Sequence, residues 1–156
     1  IKRWEIVAGY LLGFGLFTII QSFLIAAYAV YVLDVWMAGD FWQLIIVTFL
    51  LAVTALTLAT LLSAFANNEF QMMQFIPLVI LPQVFFSGIF NLASMDRWLQ
   101  AFSKLMPLTY GAEAMQGIMI KGKNLWDVWD DLAILLGFAA LFFILNIFAL
   151  KKHRRL

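Results

Sequence analysis

The chain has 156 residues, 65% of them hydrophobic and only 12% charged, with a net charge of +1. Soluble domains run near half apolar and a quarter charged, so water is excluded as the main solvent, and the near-zero charge argues against a nucleic-acid binder. The absence of cysteine excludes disulfides, thiolate metal sites and a cysteine nucleophile.

The chain opens on Ile1-Lys2-Arg3 and then runs apolar from Ile6 to Leu33. That run is about twice the length of a signal-peptide core and has no convincing cleavage end. A first membrane helix is therefore predicted over 6–33. The missing initial Met leads us to expect a piece excised from a longer protein, with processing as the alternative. Crossing a bilayer takes about 20 apolar residues, and three more stretches meet that length: 42–65, about 70–91, and about 131–150. A short acidic loop with Asp34 and Asp40 joins the first two, and Asn67-Asn68-Glu69 joins the second and third.

Small residues recur at packing intervals: Gly9 and Gly13 in the first span, then Ala55, Ala59 and Ser63, with Thr60 and Ala64 beside them, in the second. Such stripes let helix backbones approach closely, and ordinary packing within the chain is favoured over a dimer face. In the third span Pro77 and Pro82 each remove a backbone donor and should kink or unwind the helix. Two readings stay open there. One is a flexible pathway-lining helix with Phe85, Phe86 and Phe90 as a hydrophobic constriction; the other is a static bend packed by aromatics.

The segment 92–130 has helical rather than disordered character. Met95, Trp98, Leu99, Phe102, Leu105 and Met106 recur at helical spacing, with Asp96, Arg97, Gln100 and Lys104 opposite. Ser94 is the predicted N-cap, and Pro107 breaks this helix. A second helix is predicted from Tyr110 to about Lys121, capped by Thr109 and stopped by Gly122. Each is too short to span and amphipathic enough to lie in the outer interface. The alternative is a plain interfacial loop with no part in a transport path. Asp127, Asp130 and Asp131 flank Trp126 and Trp129 at the start of the last span, where they read as an interface cap rather than a metal site.

Lys2 and Arg3 precede the first span, and Lys151, Lys152, Arg154 and Arg155 follow the last. Positive ends face the cytoplasm, so both termini of this segment are expected there and 92–130 outside. Trp4, Trp36, Trp42, Trp126 and Trp129 fall near span ends, which fits that topology. The span interiors hold Gln21, Ser22, Gln83, Asn146 and threonines but no ionisable residue. This counts against a proton- or sodium-coupled carrier, whose path needs one. There is no phosphate-binding Gly-Lys-Ser/Thr loop, so the chain does not hydrolyse ATP by itself. No enzymatic activity and no cofactor are expected. The fold class that follows is an all-α, polytopic membrane helical bundle, with four transmembrane helices and two short external amphipathic helices in one domain over 1–156.

The run Leu81-Pro82-Gln83-Val84-Phe85-Phe86-Ser87-Gly88-Ile89-Phe90 resembles the "P…fSGif" stretch of type-2 ATP-binding-cassette exporter permeases. Met95-Asp96-Arg97-Trp98-Leu99 follows at the expected distance, and Met106-Pro107-Leu108-Thr109-Tyr110-Gly111 is similar to the family's "P-l-t-y" element. Lys2 to Tyr10 looks like the family's passage into its third helix. The resemblance thus covers helices three to six of a six-helix permease, departing at Asn91, where proline is common. It implies a permease in the plasma membrane that pairs with a second permease copy or homologue. ATP hydrolysis is then expected on a separate or fused cytosolic ATPase subunit, driving export of a drug, lipid, peptide or other amphipathic molecule. The positions carried over as gating or structural candidates are Pro82, Ser87, Gly88, Pro107, Thr109 and Tyr110, and Pro77, Phe85, Phe86 and Phe90 join them from the kink and constriction read above. Asn67, Asn68 and Glu69 are candidate ATPase contacts. Two other classes remain open: a non-transporting membrane assembly or immunity protein, and a channel or ion-coupled carrier.

Overall fold

The computed structural model describes residues 3–90 and 96–153. The predicted cap at Ser94 and the departure at Asn91 lie outside the described residues. Helix α1 (Arg3–Ala27) ends in one wider π turn, Tyr28–Val32; α2 is Phe41–Phe65; α3 (Glu69–Val84) runs into a second π turn, Phe85–Ile89. The short helices α4 (Arg97–Ser103) and α5 (Pro107–Met119) follow, and a 3₁₀ turn, Leu125–Val128, opens α6 (Trp129–His153). There is no strand among the described residues. Four of the helices, namely α1, α2, α3 and α6, are long and apolar enough to cross a membrane, within a few residues of the predicted spans. The bundle is all-α and multi-pass.

The spans are unequally buried. In α2 and α6, 28% of the apolar window lies inside the protein, against 11% for α1 and 6% for α3. So α2 and α6 form the centre. The α2 face toward the core carries Leu44, Val47, Thr54, Thr57 and Leu61. Two hydrogen bonds stitch it to α6: the Thr54 hydroxyl reaches the Leu135 carbonyl at 3.3 Å, and Asn146 Nδ2 donates to the Thr57 carbonyl at 2.9 Å. Each bond of this kind is worth about 0.6 kcal/mol, up to about 1.7, between membrane helices.

The small-residue stripes behave differently from expectation. Ala55, Ala59 and Ser63 are exposed, and a Cβ placed on Gly9 or Gly13 meets nothing within 4 Å. Neither stripe packs against the described residues of this chain. The reason is chemical: threonines and Asn146 make hydrogen bonds that alanine cannot, and these decide which face of α2 turns inward.

Helix α5 fills the space between α2 and α6 at one end of the bundle. Pro107, Gly111, Ala114 and Ile118 recur at i, i+4, i+7 and i+11, and all are buried. Ala114 and Ile118 join Val47, Val128 and Leu132 in the apolar core. The loop between α1 and α2 closes over the other end of α5. There the Ala38 amide donates to the Met119 carbonyl at 2.8 Å, and Gly39 lies against Ile118. A side chain on Gly39 would place its Cβ 2.5 Å from the Ile118 carbonyl oxygen, so only glycine fits. The α1–α2 loop, the end of α3, α4, α5 and the start of α6 therefore share one end of the bundle. The exposed indoles of Trp36, Trp42, Trp98, Trp126 and Trp129 gather there, as an aromatic belt at a headgroup level would.

Candidate functional site

Two local devices shape the end of the third span. Pro77 and Pro82 lie inside α3, yet the helix continues α-helical through both. The departure from α geometry comes one turn later, in the π turn at 85–89, where Gly88 adopts φ +90°. Expected unwinding at the prolines is thus displaced to the residue that tolerates a left-handed backbone. Beside it, Phe86 is buried against Phe102 of α4 with ring centroids 5.7 Å apart, and Phe85 meets Phe90 at a tilt with centroids 4.6 Å apart. The Ser87 hydroxyl turns back to the Val84 carbonyl at 2.8 Å. The structure therefore brings Phe85, Phe86 and Phe90 into one aromatic cluster with α4.

The second device is the Pro107-Leu108-Thr109-Tyr110 element. Thr109 is not the helix cap expected of it. The cap is Met106, with Pro107 in the first helical position, where its missing N–H costs nothing and its fixed φ suits the helix. This frees the Thr109 side chain, which is buried, to face outward from its own helix. Its hydroxyl lies 3.0 Å from the carbonyls of both Phe86 and Ser103, and Tyr110 donates to the Lys104 carbonyl at 3.0 Å. Helix ends leave carbonyls without intrahelical partners; here two adjacent side chains satisfy those of α3 and α4 together. Gln116, a little further along α5, approaches Gly88 so closely that a Cβ there would sit 3.0 Å from its amide nitrogen. The predicted stop at Gly122 holds, with φ +61° just past the helix end.

Because α3 touches the bundle mainly through this stapled end, a groove remains between its body and α2. Leu51, Ala52 and Ala55 line it from α2, Ile80 and Gln83 from α3, and Pro107 and Leu108 form its floor. Thr48 and Thr54 complete a cavity of about 300 Å³ that is almost wholly apolar. Of the sequence candidates, Pro107 lines this groove directly, and Phe86, Gly88, Thr109 and Tyr110 meet just beyond its floor. Pro77 stands apart on an exposed face of α3. Gln83 and Ser103 were not among the candidates. Gln83 is signalled by being a lone amide in an apolar span; nothing local signals Ser103, which contributes only its backbone carbonyl.

At the opposite end of α3, Asn67, Asn68 and Glu69 make a tight corner. The Asn68 side chain accepts from the Gln71 amide at 2.8 Å, while the Gln71 side chain accepts from the Asn67 amide at 2.8 Å. This reciprocal capping fixes the start of α3 and leaves Glu69 exposed in its first turn. At the start of α6, Asn124 and Asp127 form a capping box, so Asp127 does serve as a cap.

Electrostatics outside the spans centre on Glu113, on the exposed side of α5. Partial burial raises its carboxyl above the usual range, the nearby Asp131 carboxylate raises it further, and Lys121 offsets part of the rise.

Residues 1–120 match the family model described as ABC-2 type transporter. ABC transporter G family member 20 of Dictyostelium discoideum is 26% identical over 155 residues, which is 97% of this chain and 21% of that protein. The chain thus spans about a fifth of that relative's length. No solved structure matches it.

Proposed function

The chain belongs to the ABC-2 type transporter family, and from that premise we propose that it forms the last four of six membrane helices in the permease of an ATP-driven exporter. The permease domain itself carries no catalysis. ATP would be hydrolysed on a separate or fused cytosolic ATPase subunit, and a second permease copy or homologue would complete the translocation pathway. Both termini of the segment would face the cytoplasm at the plasma membrane. In this arrangement the Asn67-Asn68-Glu69 corner faces the ATPase, and the stapled α4–α5 unit sits over the exit.

The observation that carries this reading is the groove beside α3. A membrane assembly or immunity protein would be expected to pack solidly at 77–90. Instead α3 stands off α2 along an apolar cleft and is fastened at one end, the arrangement of a helix that can swing. The lack of ionisable side chains in the span interiors also favours an energy source outside these helices over an ion gradient. Amphipathic cargo suits the apolar lining.

The test is export of a fluorescent amphipathic dye by the full-length protein in proteoliposomes with its ATPase. Export is expected to need ATP and to vanish when the ATPase phosphate-loop lysine is replaced. Dye movement that ignores ATP but follows a proton gradient would reject the reading.

A further inference from the structure

We propose that the α2–α3 groove binds an uncharged, largely apolar molecule bearing one hydroxyl or similar donor, and that the Gln83 amide oxygen receives that donor. This deepens the exporter reading and rests on it for the meaning of the ligand as cargo.

Charge comes first. None of the residues lining the groove is charged. An ionic headgroup moved into such a site would lose its hydration with no counter-charge to replace it, a penalty far larger than any apolar contact recovers. Polarity then narrows the choice. The two threonines on the wall are already engaged: Thr48 donates to the Leu44 carbonyl at 2.8 Å, and Thr54 to the Leu50 carbonyl at 2.9 Å. A hydroxyl has one proton to give, so neither is a donor for a ligand; Thr54 is fully buried, and the Thr48 oxygen is a weaker acceptor than an amide carbonyl. Gln83 differs. Its Nε2 donates to the Val79 carbonyl at 3.3 Å, which orients the amide and leaves Oε1 without a donor among the described residues. A half-buried acceptor in an apolar cleft gains most from a ligand hydroxyl, since no wall group competes for it.

Size agrees. Ligand pockets run from about 300 to 1,000 Å³, so this cavity of about 300 Å³ holds a compact molecule or the polar end of a longer one. Position gives the site its consequence. The floor is Pro107 and Leu108, the start of the helix whose next two side chains staple α3 and α4. A ligand seated on Gln83 therefore rests against the element over the exit.

The experiment uses the full-length protein in nanodiscs and four photoreactive probes of equal chain length: dodecanol, dodecane, dodecanoate and dodecyltrimethylammonium. Labelled peptides are mapped by mass spectrometry. Dodecanol is expected to label Leu51–Ala55 and Val79–Gln83 above the other three. Gln83→Leu should lower dodecanol labelling about fivefold, to the level of dodecane, which is the loss of one neutral hydrogen bond. Ala55→Phe, which fills the groove from an exposed position, should abolish labelling by both. Equal labelling by dodecane and dodecanol in the unmodified protein would show ordinary lipid contact and overturn the proposal, as would equal labelling by either charged probe. So would labelling that survives Ala55→Phe. Dye export is followed in parallel. Absent labelling with ATP-dependent export intact rejects the site alone, and labelling without such export rejects the exporter reading alone.

Discussion

The Thr109 hydroxyl holds three segments with one proton shared between two carbonyls, so its removal has a predictable cost. Thr109→Val keeps the shape of the side chain and takes that donor from the Phe86 carbonyl, while the Ser103 carbonyl still accepts from the Met106 amide. A buried acceptor left unpaired costs about 1–3 kcal/mol, so the thermal midpoint of the purified protein should fall by several degrees. Thr109→Ser should recover most of the loss. Glu113 makes a second prediction at this scale. Its carboxyl is raised in the folded protein by partial burial and by Asp131, so folding favours the protonated form. The contribution is fully present below about pH 4.3, the ordinary glutamic-acid value, and is lost as pH rises through the raised value. Glu113→Gln should therefore raise the midpoint at pH 7 and change it little at pH 4, as a pair of melting curves would show.

At the level of elements, loop and helix are fitted to one another at Gly39. Gly39→Ala places a methyl 2.5 Å from the Ile118 carbonyl oxygen and 2.8 Å from its Cγ2, which forces the loop off α5. Overpacking of this kind costs about 1–3 kcal/mol, and proteolysis between α1 and α2 should quicken accordingly. In α3, Pro82→Ala returns a backbone donor one turn before the π segment. It should stiffen the helix ahead of the π turn and alter ATP-coupled export; unchanged export would make the proline a purely structural feature. The four spans were legible in the sequence because about 20 apolar residues in a row allow little else. The start of α5 was misread because Thr109 has the chemistry of a cap, whereas Pro107 in the first helical position was the stronger signal. The groove was not legible at all. Helix α2 is apolar on every side, so nothing in its hydrophobic pattern separates Ala55 on the cleft from Val47 in the core. The contact between Gly39 and Ile118 joins residues far apart in sequence and leaves no local trace.

On the scale of the whole molecule, the imbalance of burial is the dominant feature. Helices α2 and α6, with α5 wedged between them, make a bonded centre, while α1 and α3 hang on its flanks. The long apolar faces left open on those two helices suit lipid or further helices of the same permease. Orientation is expected to depend on the basic tail instead. Replacing Lys151, Lys152, Arg154 and Arg155 with Gln should loosen the placement of the last span, seen as new protease access to the C-terminus from the outer side. Intact protection would show that packing of α6 alone sets its direction. The thirteen residues of α5 form a rod about 20 Å long. It is pinned at one end by Thr109 to the third span and at the other by the Ala38 amide to the first loop. Such a rod is a lever. A tilt of α3 would be delivered, with little slack, to the turn between the first two helices, so a distance probe placed on Ala38 should report motion that begins at Phe86.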